Sequence, residues 1–206
     1  EPAAVEGALR RRREALEWLE ARPTARSTEG MDEYRCYAMA RASVTTLRDP
    51  HRILPLGGRS PGPVLCVVLD DDDREGRERP AREREEFGAG LHRRTAKDAA
   101  RSEEILSAAA LAGRVLVLLY GDIRAWKGRP GLGPELEGLL RTLAERHGGK
   151  SLAVCFGSPS LAGPAEGMAA VCAWDDAPLI QRAALDLLLS GRSPTGHLPY
   201  GPDPLA

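Results

Sequence analysis

The sequence predicts an α/β fold: a three-layer sandwich in which a largely parallel sheet of about five or six strands carries helices on both faces, preceded by an N-terminal helical linker. Three observations lead there. Short continuous apolar runs at Val64–Leu69, Val115–Tyr120, Leu152–Phe156 and Ala169–Trp174 have the length and composition of strands buried on both sides. Between the first three of these runs lie stretches of helical period, one of them a clean leucine stripe. Strands that alternate with helices of this length are joined by right-handed crossovers, which lay the helices over both faces of one sheet.

Size and charge set the outer bounds. The 206 residues, 42% hydrophobic and 29% charged, suffice for one good core and a helical appendage. A formal net charge of −1 gives no reason to expect nucleic acid or an acidic membrane as partner. Aromatics at 4% argue against a sugar platform of stacked rings. No run approaches the roughly 20 apolar residues of a membrane span, and no signal-peptide core is visible. A chain that begins at Glu1 inside a helical pattern reads as a piece of something longer.

Taken in order, Ala3–Arg22 is rich in helix formers, with Val5, Leu9, Leu16 and Leu19 near one face and the basic run Arg10–Arg13 interrupting it as a solvated face or a contact to a neighbour. Residues 1–30 form the linker and 31–206 the sandwich domain. Met31–Leu47 is helical again; its end, Thr45–Arg48, and Ile53–Pro55 also suit a small hairpin across Asp49-Pro50, and the residues alone do not decide between helix end and hairpin. Val64–Leu69 is the first core strand. The charged stretch 70–95 reads as loop or frayed helix, and Ala96–Ala112 as an amphipathic helix built on Ala99, Ser102, Leu106, Ala109 and Ala110. After the strand Val115–Tyr120, Leu132, Leu136, Leu139, Leu140 and Leu143 form a core-facing stripe stopped by Gly148-Gly149. Leu152–Phe156 ends abruptly at Gly157-Ser158-Pro159. After Ala169–Trp174, a helix starts where Asp175 and Asp176 can cap free N–H groups and Pro178 suits the first turn; Ile180, Ala184, Leu187 and Leu188 line one face, and Gly191 stops it.

Two clusters could bear chemistry. Asp70, Asp71 and the two aspartates after them follow the first strand at its carboxyl end, where ligands of open α/β sheets bind; such carboxylates can hold a hard cation or act as acid and base. The competing reading is a solvated loop whose acids pair with the arginines of 74–86. Arg124, Lys127 and Arg129 make a compact basic loop after the second strand, and Trp126 adds one ring, a set suited to a phosphate or sugar, or to packing against a neighbouring domain. It lacks the spacing of a P-loop. No nucleophile elbow is present, and proline follows Ser158 at once. His51, His92, His147 and His197 are scattered. Cys36, Cys66, Cys155 and Cys172 show no metal or disulfide spacing and read as buried small hydrophobes. Neither a cofactor nor a resident metal is expected.

FGSP (Phe156–Pro159), the segment CAWDDAP with QRAA (Cys172–Ala184) and the closing GHLP (Gly196–Pro199) together resemble the C-terminal α/β sandwich domain of glycoside hydrolase family 3, in the branch of bacterial β-N-acetylhexosaminidase-like proteins. ILPL (Ile53–Leu56) and WKGRPGL (Trp126–Leu132) agree in the expected order. Ser160 departs from the pattern where an aromatic is common, and Tyr200 where a small apolar residue is usual. The resemblance implies a non-catalytic accessory domain bracing a catalytic barrel, with the parent hydrolysing terminal N-acetylhexosamine in bacterial carbohydrate metabolism, in the cytoplasm or exported. It places the nucleophilic aspartate and the His–Asp acid/base pair in the barrel, within a KHFPGHG-like motif that this chain lacks, so no residue here is assigned a catalytic role and no turnover is expected from the chain alone. Some two-domain glucosidases of the family lend an acid/base glutamate from this domain, but no residue here can be matched to it. The expected partner is that barrel, with homodimerisation through the N-terminal helix as a further reading. The alternative is a self-contained α/β enzyme or small-ligand-binding domain using Asp70 to Asp73 with Arg124, Lys127 and Arg129.

Overall fold

The protein is described by a computed structural model covering residues 2–20, 32–56, 62–70, 91–96, 101–121 and 131–198. It divides into two compact units, Glu1–Arg35 and Cys36–Ala206. In the first, helix α1 (Pro2–Glu20) exposes its basic run. Arg10 and Glu14 sit one turn apart with Nε and Oε1 at 3.8 Å, both well solvated, a pair that contributes little. Leu16 and Trp18 of the same helix are 48% and 55% exposed.

The second unit is built on a six-stranded sheet. Its strands are β1 (Thr45–Arg48), β2 (Val64–Asp70), β3 (Leu91–Ala96), β4 (Arg114–Gly121), β5 (Ser151–Gly157) and β6 (Ala169–Cys172). Their order across the sheet is β1-β6-β5-β4-β2-β3, parallel throughout except for β1, which runs antiparallel to β6. The period-two alternation sorts each central strand onto both faces. Leu65, Val67 and Leu69 of β2, Val115, Val117 and Leu119 of β4, and Cys155 of β5 meet helices α3 (Ser102–Leu111) and α4 (Pro134–His147). Cys66, Val68, Leu116, Leu118, Tyr120, Val154 and Phe156 face the other way, toward helix α5 (Pro178–Leu189) and Val44 and Ile53. This is the expected three-layer α/β sandwich.

The helix signals act as anticipated. The stripe Leu136, Leu139, Leu140, Leu143 is buried on α4, which opens with Pro134 and two glutamates and closes with Arg146 and His147, matching the helix dipole. Gly191, at φ 75°, lets the chain leave α5 in a left-handed turn. Asp175 does not cap α5: its Oδ1 accepts from Ala177 N at 2.7 Å, fixing the turn before the helix, while Ala177 is itself the N-cap residue and gives no side-chain bond.

Three local expectations are corrected. Helix α2 (Glu33–Ser43) ends before Thr45, and its start is capped by Asp32, which accepts from Arg35 N at 2.7 Å. Thr45–Arg48 is indeed extended, yet it pairs with β6 rather than with Ile53–Pro55. The chain after it is folded by the Asp49 carboxylate, whose two oxygens accept from Ile53 N at 2.8 Å and Leu54 N at 3.0 Å, so those amides are unavailable to a hairpin ladder. Within 70–95, Leu91–Ala96 is a strand on the outer side of β2, and helix α3 begins at Ser102, after Ala96 has ended β3.

Two polar anchors tie the second unit together. Tyr37 of α2 donates to Asp186 Oδ2 of α5 at 2.5 Å, with Arg41 and Arg182 over its ring at 5.9 and 5.4 Å. Burial, followed by the bonded Asp186 carboxylate, raises the phenol above its ordinary range. On the opposite side, half-buried Arg48 of β1 donates Nε to Met168 O at 3.1 Å and a terminal nitrogen to Ala162 O at 2.5 Å. Arg48 thus holds the connection from β5 to β6, whose Pro159–Ala165 stretch is a 3-10 helix.

Candidate functional site

In a parallel sheet the ligand crevice opens at the carboxyl ends, where neighbouring strands lead off in opposite directions. Here that place lies between β2 and β4: the chain passes from β2 to β3 on one side and from β4 to β5 on the other. Asp70 and Tyr120 are register partners there, and Gly121 and Gly157 continue the row into β5. Asp70, read from the sequence as a strand-end carboxylate, is therefore at the switch point, but it is only 3% exposed. Asp71, Arg124, Trp126, Lys127 and Arg129 lie outside the described residues.

The glycines of this row have physical work. Gly157 holds φ at 140°, a region side chains avoid, and so turns the chain sharply out of β5. A Cβ on Gly121 would come within 2.5 Å of Leu161 Cδ2, so its absence lets the 3-10 connection settle onto the strand ends.

Beneath the row is a buried polar group. Tyr120, 1% exposed, donates to Gln181 Oε1 at 2.7 Å, and its ring stacks on Phe156 with centroids 5.0 Å apart. Gln181 is fully buried in the first turn of α5 and donates through Nε2 to Asp176 O. Sequence reading passed over this pair. Its signal was a glutamine one turn before Leu185, among the apolar positions of an otherwise buried helix, together with a tyrosine closing an apolar strand.

Two further side chains here also hold the backbone. Trp174 keeps φ at 71° and donates its indole N–H to Ser43 O at 3.0 Å and Thr45 Oγ1 at 3.2 Å. Ser158 Oγ accepts from Ser160 N at 3.2 Å and lies 2.7 Å from Ser160 Oγ. Among the described residues no three His, Cys, Asp or Glu side chains gather as a metal centre. Burial raises the Cys155 thiol strongly and pushes Cys172 up to about 11, so neither rests as a thiolate nucleophile. A cleft of about 590 Å³ opens between α4 and the β5–β6 connection, lined by Arg141, Glu145, Glu166 and Gly167; Gly167 lies just before β6, so the cleft is near the amino end of that strand. No described helix is long and apolar enough to cross a membrane.

No protein-family model matches the chain, and no curated protein matches it in sequence. Solved structures do match its fold. A glycoside hydrolase family 3 β-N-acetylglucosaminidase from Paenibacillus sp. superposes with a TM-score of 0.62 at 16% identity, over 87% of this chain and 34% of that one. A fungal multi-domain β-N-acetylglucosaminidase of the same family gives 0.59 at 11% identity, over 79% and 18%. A β-glucoside phosphorylase gives 0.57 at 14% identity, over 80% and 30%. The chain spans about a third of the Paenibacillus enzyme and less of the other two. Its motif resemblance is thus matched by its architecture, and the chain has the fold of one part of glycoside hydrolase family 3 β-N-acetylglucosaminidases.

Proposed function

We propose that this chain is a non-catalytic accessory domain of a family 3 glycoside hydrolase, residues 31–206 bracing a catalytic barrel to which residues 1–30 belong or connect, and that the parent hydrolyses terminal β-N-acetylhexosamine. The observation that carries this reading is the pair of coverages: 87% of this chain accounts for only 34% of a β-N-acetylglucosaminidase. The chemistry of the strand ends supports it. Glycoside hydrolysis needs two carboxyl groups, or an equivalent pair, facing each other across a sugar. Among the described residues beside the strand ends, three side chains are engaged with backbone: Asp175 with Ala177, Gln181 with Asp176, Trp174 with Ser43.

A second reading, a small-ligand site using Asp70 with Asp71, Arg124, Trp126, Lys127 and Arg129, draws on the place of Asp70 at the switch point. One assay separates the two. A chromogenic β-N-acetylglucosaminide is offered to this chain alone and to the same chain joined to a family 3 barrel. We expect no turnover from the chain and activity from the joined form. Turnover by the chain alone, lost in Asp70→Asn with the fold retained, would overturn the accessory reading and favour the second.

A further inference from the structure

Past α5 the chain returns to the start of the sheet, and one glycine there occupies a closely fitted seat. Gly196 N donates to Val44 O at 2.9 Å, and Gly196 forms an isolated parallel bridge with Thr45. A backbone bond of this kind would by itself accept any residue but proline. A Cβ at this position, however, would lie 2.5 Å from Ser43 O and 2.7 Å from both Val44 O and Thr45 Oγ1. Two of those three atoms are backbone and cannot swing aside. Gly196 does not have the left-handed backbone of Gly157, Gly167 and Gly191, so room rather than conformation selects glycine here.

The seat is held firm by other groups. Val44 is fully buried in the core, and Thr45 is 2% exposed. The Thr45 hydroxyl donates to Ser43 O at 2.9 Å, while Trp174 Nε1 donates to Ser43 O at 3.0 Å and Thr45 Oγ1 at 3.2 Å. Trp174 keeps its left-handed φ of 71°, which a bulky residue sustains only where its surroundings enforce it. Indole, hydroxyl and glycine thus converge on one turn between α2 and β1.

We propose that Gly196 is a clasp: it locks the segment after α5 onto the α2–β1 turn, so that the two segments open and close together. Closed, the clasp covers the start of the outer edge of β1. Open, Val44 O loses the N–H of Gly196, and β1 keeps only β6 as a ladder partner among the described residues. An edge strand uncovered in this way offers its backbone to other chains, so the clasp also guards the sheet. The inference does not rest on the accessory-domain reading.

Hydrogen exchange of the full chain, followed by proton–nitrogen NMR, tests it. In the unaltered protein the amide at position 196 is expected to exchange about tenfold or more slowly than those of exposed Thr195 and His197. Gly196→Ala is expected to abolish that protection and to speed exchange at the Trp174 indole N–H about tenfold, while the α4 amides keep their rates. Gly163→Ala, where an added Cβ meets nothing within 4 Å, is expected to change none of these. Trp174→Phe, which removes the indole donor from the same seat, is expected to loosen the amide at 196. Four results would each overturn the proposal: no protection at 196 in the unaltered protein, unchanged exchange after Gly196→Ala, equal acceleration throughout the sandwich, or an amide at 196 indifferent to loss of the indole.

Discussion

Tyr120→Ala is expected to destabilise the sandwich domain by about 3–5 kcal/mol, the range for truncating a large buried aromatic, and to lower its thermal midpoint by about 6–20 °C for a domain of this size. Three losses combine at one site. The ring is 1% exposed and packs between the sheet and α5, so its removal leaves a cavity. Its stack on Phe156, with planes 16° apart, disappears. Gln181 Oε1, fully buried, loses the phenol that donates to it. The last loss can be isolated: Tyr120→Phe keeps the ring and is expected to cost about 1–3 kcal/mol, the penalty for an orphaned buried acceptor. Gln181→Leu is expected to cost a similar amount, and Tyr120→Phe with Gln181→Leu clearly less than the sum of the two, because the second change removes the group the first orphaned. Urea unfolding of the four proteins closes the cycle. Strict additivity would mean that the hydroxyl and the amide do not act as a pair.

How much of this was legible in the sequence follows from how each element is stabilised. The central strands β2, β4, β5 and β6 announced themselves because both faces are covered, which forces a continuous apolar run. Strand β3 has one neighbour and reads Leu-His-Arg-Arg-Thr-Ala, with no apolar run and no alternation, so its identity comes from pairing with β2 rather than from its own residues. Strand β1 was ambiguous for the same reason: Thr45 pairs with Cys172, a partner far along the chain, and local pattern cannot specify it. At the candidate site, topology could place Asp70 at a strand end, since a carboxylate closing an apolar run says as much. What the sequence could not show is that Asp70 would be almost wholly buried, or that its register partner Tyr120 would meet Gln181 of α5. Arg48 looked like the tail of a helix or hairpin. Its role depends on two carbonyls more than a hundred residues away, at Ala162 and Met168.

Arg48→Met is therefore the second large effect expected, a loss of about 2–4 kcal/mol. The estimate follows from the chemistry of the contacts: a guanidinium hydrogen bond to a carbonyl contributes about 1.5–3 kcal/mol, and an acceptor left without its donor adds a desolvation cost. Methionine keeps most of the apolar stem, so the effect reads the lost donors more than lost packing. Arg48→Lys separates charge from geometry. A single ammonium cannot reach the Ala162 and Met168 oxygens as the planar fork does, so it is expected to recover only part of the stability. The consequence is local as well as global. Amide exchange at Leu161, whose N–H is held by Ser158 O at 3.2 Å, and at Met168, held by Ala165 O at 3.0 Å, is expected to speed up more than exchange at the α4 amides. A uniform change across the domain would mean that Arg48 contributes only to global stability; selective loosening of 158–168 would establish it as the clamp that fixes the β5–β6 connection against the strand ends.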